Sequence, residues 1–297
     1  MTPHRGFWMN AQLLAGQVKS LFSLPEVALR VNEVLNYPEP SIEELDDIII
    51  SDPALTAKVL QVVNSAYFGF PAKIDTVSRA ITVIGFKELR NLVITISIAT
   101  SFKGIPAELV DMDVFWYHSV TSAVLAKLLA KSLKHSNYER IFISGLLHSV
   151  GRLIYFSQCP VISREILSFK AQGEEAMIEA ELEKLGFTYA ELGAELLKHW
   201  KLPENIWQVI NHHLDPLNAR EYVRDTCVLH VASKIAGSIE PCVKYDFDFD
   251  EIEPHFNQGV LDHLKLSPNK MQFCIDEGLV QAYDILAIIN PKVTSIY

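Results

Sequence analysis

The 297 residues are 49% hydrophobic and 21% charged, the composition of a globular chain with room for one large or two medium cores. The net charge of −10 sits almost wholly in the second half: residues 1–150 hold 13 Lys and Arg against 14 Asp and Glu, and residues 151–297 hold 13 against 22. Neither half supplies the basic stripe that displaces counterions from nucleic acid, and no run approaches the roughly 18 apolar residues of a membrane span.

Helical periodicity dominates from the start. Ser23-Leu-Pro-Glu26 predicts a helix start, with Pro25 in the first turn and Val27, Val31, Val34 and Leu35 following at helical spacing. Ser41-Ile-Glu-Glu44 has the form of a capping box, and its helix should stop near Ser51 because Pro53 disfavours a helical Asp52. A further helix carries Leu55, Val59, Leu60 and Val63. Asn64 to Asp75 then reads as a loop whose aromatic residues Tyr67, Phe68 and Phe70 form a candidate interaction patch. Thr76 caps a short helix ending at Gly85, and Phe86 to Phe102 forms a long apolar one.

Gly104-Ile-Pro106 punctuates the chain and predicts the main internal boundary. Beyond it, helices are expected near Asp113–Ser132, Tyr138–Phe156, Glu174–Leu185, Tyr189–His199, Pro203–His213 and Asp225–Ser238. Tyr245 to Glu253 alternates aromatic and acidic residues and reads as a solvated loop before the last helices. The expected architecture is all-α and two-lobed: residues 1–105 as an N-terminal helical lobe, 106–237 as a helical bundle, and 238–297 as a C-terminal helical extension packed on it.

The stretch from Arg79 to Arg90 has helix–turn–helix shape, but its second helix carries only Lys87 and Arg90 before turning apolar, which fits a core helix better than a DNA reader. Cys159, Cys227, Cys242 and Cys274 form no CxxC pair, so neither a disulfide framework nor a zinc set is expected, and the chain reads as cytoplasmic. The chemically suggestive residues are histidines on separate helices: His118, His148 in GLLHSVGR, and the doublet His212-His213. Histidines from several helices can converge in a bundle core. His4, His135, His199, His230, His255 and His263 are read as ordinary hydrogen-bonded residues.

The succession LPEVALRVNEVL, ISDPALTAKVLQVVNSAYFGF, VSRAITVIGFKELRNLV, GLLHSVGRLI, ELGAELLKHWKLPENI and INHH resembles the HDOD domain family over about residues 18–237. The resemblance implies an N-terminal lobe followed by a bundle similar to the HD metal-dependent phosphohydrolases, which hold divalent metals through histidines and aspartates. His118 would match the first histidine, His148 the histidine of the His-Asp pair, and His212 and His213 the downstream doublet. The aspartate of the pair is Ser149 here, a frequent histidine is Tyr189, and a frequent aspartate is Ser233. A serine is a poor substitute for a carboxylate ligand of Mg²⁺ or Mn²⁺. The expectation is therefore a non-catalytic signalling module that acts by protein–protein contact, with no cofactor beyond adventitious Zn²⁺ or Ni²⁺ on the remaining histidines. The alternative is a divergent phosphohydrolase acting on a nucleotide or cyclic dinucleotide. Signalling proteins are the expected partners; membrane and nucleic acid are not.

Overall fold

The computed structural model describes residues 10–18, 25–65, 68–101, 105–135, 138–239 and 256–289, and among them every regular element is helical. Before the predicted boundary come α1 (Ala11–Val18), α2 (Glu26–Val34), α3 (Ile42–Ile50), α4 (Pro53–Val63) and α5 (Val77–Ser101), of which α2 to α5 pack together as the first lobe. The bundle follows with α6 (Met112–Ser132), α7 (Tyr138–Leu147), α8 (Val150–Gln158), α9 (Pro160–Leu167), α10 (Glu174–Leu185), α11 (Tyr189–His199), α12 (Glu204–His212) and α13 (Val223–Ser238). Two more helices, α14 (Gln258–Leu264) and α15 (Pro268–Ile289), close the described chain. None of these helices is long and apolar enough to cross a membrane.

Local chemistry sets most of the boundaries. Asp52 accepts from the N–H groups of Ala54 and Leu55 at 3.0 Å each, and Pro53 occupies the first turn of α4. At Ser41 the structure keeps half of the expected box: the hydroxyl accepts from Glu44 N–H at 3.3 Å. The full reciprocal box lies instead at Thr188 and Glu191, opening α11. Gly85 interrupts α5 with φ 83° and ψ 165°, so the predicted pair of helices is present, one kinked into the next. The helix expected from Tyr138 to Phe156 is broken at His148-Ser149, where the His148 ring turns back to the Gly145 carbonyl at 2.6 Å. Helix α9 was not expected; Pro160 sits at its first position, where a missing N–H costs nothing. The acidic stretch from Tyr245 to Glu253 lies outside the described residues.

Helix α6 is the axle of the bundle, packed by α7, α13 and α15, with Val120, Ala123, Val124 and Leu129 fully buried. One apolar cluster runs from Leu14 through the first lobe into α6, α8, α11 and α12, so the two lobes share a continuous core. A second cluster joins α6 and α13 to α14 and α15. The first helix, α1, packs on α11 rather than on its sequence neighbours.

The helix–turn–helix reading of residues 77–93 fails on burial. Leu89, Leu92 and Val93 of its second helix are in the core, and Arg90 donates to Asn36 at 2.9 Å. In the aromatic loop Phe68 and Phe70 stack 6.0 Å apart, and the Lys127 ammonium of α6 lies 5.5 Å from the Phe68 ring. Tyr67, the third member of that patch, is outside the described residues.

Candidate functional site

Three histidines meet where α6, α7 and α12 end or cross. His118 and His148 face each other Nε2 to Nε2 at 3.1 Å, and the His148 and His213 rings meet edge to face with centroids 5.3 Å apart. His148 and His213 each direct Nδ1 to a carbonyl three residues back, Gly145 and Ile210, both at 2.6 Å. A carbonyl can only accept, so both nitrogens carry their proton and both Nε2 atoms are lone pairs. His118 must then donate its Nε2–H to His148.

The same accounting applies to Tyr189. Its hydroxyl lies 3.1 Å from His213 Nε2 and 3.2 Å from Glu174 Oε1, two acceptors for a single phenolic proton. Glu174 also receives Arg152 Nη2 at 3.0 Å, and that guanidinium lies 4.0 Å from the Tyr189 ring centroid. Glu181 completes the network, accepting from Tyr155 at 2.8 Å and from Tyr189 N–H at 2.7 Å. The close seating of α8 on α11 depends on Gly151, where a Cβ would fall 2.0 Å from the Tyr189 carbonyl oxygen.

Burial governs the electrostatics. It holds His118 down to about 4 and, with the neighbouring His118 charge, His148 to about 3; His213 is held at about 3 by burial and by His148. All three imidazoles are neutral at pH 7. Burial pushes Glu174 upward, but Arg152 and the histidines outweigh it and bring the carboxyl to about 2. Arg152 loses by burial and regains more from Tyr189, Glu174 and its other neighbours, so it stays charged.

The expected site residues separate into those the fold brings together and those it does not. His118, His148, His213 and Tyr189 converge. His212 does not: it is half-buried, and its Nε2 meets the Asn211 amide at 3.2 Å, because successive helix positions point about 100° apart. Ser149 caps nothing and lies 3.3 Å from the Ser119 hydroxyl. Ser233 bonds back to the His230 carbonyl at 3.1 Å within α13. His230, read from sequence as an ordinary residue, directs Nδ1 to the His213 carbonyl at 2.8 Å and so braces the cluster from behind. Arg152 and Glu174 were not anticipated at all. The arginine was visible beside His148 in GLLHSVGR, but Glu174 lies in no motif and only the fold brings it near.

Among the described residues no group of three or more His, Cys, Asp or Glu side chains is arranged to hold a metal ion. A cleft of about 190 Å³ opens beside the cluster, lined by His118, Ser149 and Arg152 together with apolar side chains from α6, α8 and α10.

The HDOD domain family model matches residues 21–216. Among curated proteins, an uncharacterized protein of Treponema pallidum is 25% identical over 216 residues, covering 71% of this chain; the chain spans only 41% of that relative's length. A solved HDOD domain protein of unknown function from Geobacter sulfurreducens has TM-score 0.69 at 26% identity, covering 94% of this chain and 97% of its own. A candidate phosphohydrolase from Shewanella amazonensis SB2B has TM-score 0.77 at 24% identity, covering 95% and 98%. At these identities the Shewanella likeness is one of fold.

Proposed function

The chain belongs to the HDOD domain family, and from that premise we propose that it is a non-catalytic regulatory module whose HD-type metal site has decayed and which acts through contacts with other signalling proteins. The observation that carries this reading is the donor set around His148. The position of the pair's aspartate is Ser149, a neutral hydroxyl turned to Ser119. A second ligand position is Tyr189, whose proton faces the His213 lone pair and the Glu174 carboxylate. The carboxylate nearest the imidazoles, Glu174, is already neutralised by Arg152. Hard divalent cations are held through oxygen ligands that include at least one free carboxylate, and a fixed guanidinium beside the site opposes a second cation. The residues present do not fit such a metal.

A solved candidate signal transduction protein from Marinobacter aquaeolei VT8 shares the fold with TM-score 0.68 at 19% identity, which is consistent with a signalling role but does not carry it. The test is metal analysis of untagged protein together with a phosphodiesterase and nucleotidase screen. No stoichiometric metal and no turnover are expected. Stoichiometric metal with turnover abolished by His148→Ala would replace this reading with a divergent phosphohydrolase.

A further inference from the structure

The cleft beside the histidines has an unusual division of labour. Its walls include Phe115 of α6, Phe156 of α8 and Met177 of α10, while its polar side is made by Asp111, His118, Ser149, Arg152 and Lys170. Arg152 keeps its charge between two carboxylates: Glu174 takes one Nη2–H at 3.0 Å, and the buried Nε–H faces Glu181 across 3.8 Å without a hydrogen bond. A guanidinium N–H left without an acceptor is costly to keep buried, and the guanidinium fork suits an oxyanion. Lys170, in the turn before α10, adds a second cation at the exposed rim. The carboxylate in the lining, Asp111, is engaged as the N-cap of α6, accepting from Asp113 and Val114 at 2.8 and 3.3 Å.

We propose that this cleft binds a small organic anion with an apolar body, its charged head between Arg152 and Lys170 and its body against Phe115, Phe156 and Met177. The cleft, about 190 Å³ with the exposed Lys170 at its rim, limits the enclosed part of the ligand to a single apolar chain behind the charged head. Two cations beside the cleft disfavour a metal ion. An anion at Arg152 would compete directly with Glu174, the first residue of α10, while drawing in Lys170 from the turn before it. Ligand binding would thus be felt by the segment joining α9 to α10, a route by which the cleft could bias a partner surface. This inference rests on the regulatory reading of the site.

The test uses the full chain with four probes: octanoate, octyl phosphate, the neutral octanamide and inorganic phosphate, each followed by titration calorimetry and by thermal unfolding. Binding and a raised Tm are expected for octanoate, octyl phosphate or both, and which one distinguishes a carboxylate from a phosphate head. Octanamide and inorganic phosphate should bind about tenfold or more weakly, as should octanoate to Arg152→Gln. Because Arg152 also ties α8 to α10, a further variant guards against misfolding: Lys170→Gln at the exposed rim should weaken the anions alone. Failure of both anions to bind, octanamide equal to octanoate, or full affinity in both charge variants would overturn the proposal. These outcomes are distinct from metal and turnover, which would remove the regulatory reading itself.

Discussion

At the scale of single residues the histidine cluster has a thermodynamic signature. His148 and His213 are fully enclosed, with folded-state pKa values of about 3 against roughly 6.5 in an unfolded chain. Between those two values the unfolded chain binds more protons than the folded one, so stability rises with pH. The contribution is complete above about pH 6.5 and drains as pH falls, by up to ~1.4 kcal/mol per unit for each such group. Glu174, depressed to about 2, loses stability in the same direction but only below its unfolded value near 4.5. The interval from pH 6.5 to 5 therefore isolates the histidines. Urea midpoints should fall across it in the wild type, and His213→Gln should flatten the slope; a flat wild-type profile would contradict the burial argument. Much of this cluster was legible in the sequence, since His148 and the His212-His213 doublet fall in segments of family resemblance, and the same resemblance matched His118 and Tyr189 to ligand positions outside those segments. The choice between His212 and His213 was not, because it turns on which face of the last turn of α12 meets α11. His230 was hidden for a related reason: its role depends on a backbone carbonyl 17 residues away.

At the scale of elements, two glycines separate conformational cost from steric cost. Gly85 has φ 83° with nothing within 4 Å of an added Cβ. Gly85→Ala should therefore cost only the strain of that backbone region, roughly 1–3 kcal/mol. Gly151 is helical, yet a Cβ there would meet the Tyr189 carbonyl oxygen at 2.0 Å and the Gly193 nitrogen at 2.7 Å, both backbone atoms that cannot swing away. Gly151→Ala should cost about 3 kcal/mol or more by driving α8 off α11. It should also disturb Tyr189 and the histidine resonances, whereas Gly85→Ala should leave them in place. Equilibrium unfolding with proton NMR of the imidazoles checks both. The sequence marked Gly85 clearly, because a turn between two apolar helical runs has few other candidates. It was silent on why position 151 is glycine, since the clash involves a helix 38 residues downstream. Helix α9 escaped notice because eight residues with two buried positions leave too short a pattern to count.

At the scale of the whole molecule, the question is what couples the two lobes. The core is continuous across them, and within the interface α5 presents Glu88 to Lys127 of α6 at 3.5 Å, with side chains only 6% and 11% exposed. Lys127 also lies 5.5 Å from the Phe68 ring and 5.9 Å from Phe142, so one ammonium joins α5, the aromatic loop, α6 and α7. Asn91, one turn along α5, donates to Glu88 at 3.4 Å. A charge pair this deep has paid heavily for desolvation, and removing one partner leaves the other buried and uncompensated. Glu88→Ala should therefore destabilise by about 3–5 kcal/mol. The paired change Glu88→Leu with Lys127→Met replaces both charges by apolar volume and should recover most of that loss. A double-mutant cycle by urea unfolding measures the coupling. Additive single changes would mean that the apolar core alone holds the lobes together. Strong coupling would mean that their register is set by this pair, whose Lys127 lies on the same α6 helix that carries His118 to the cleft.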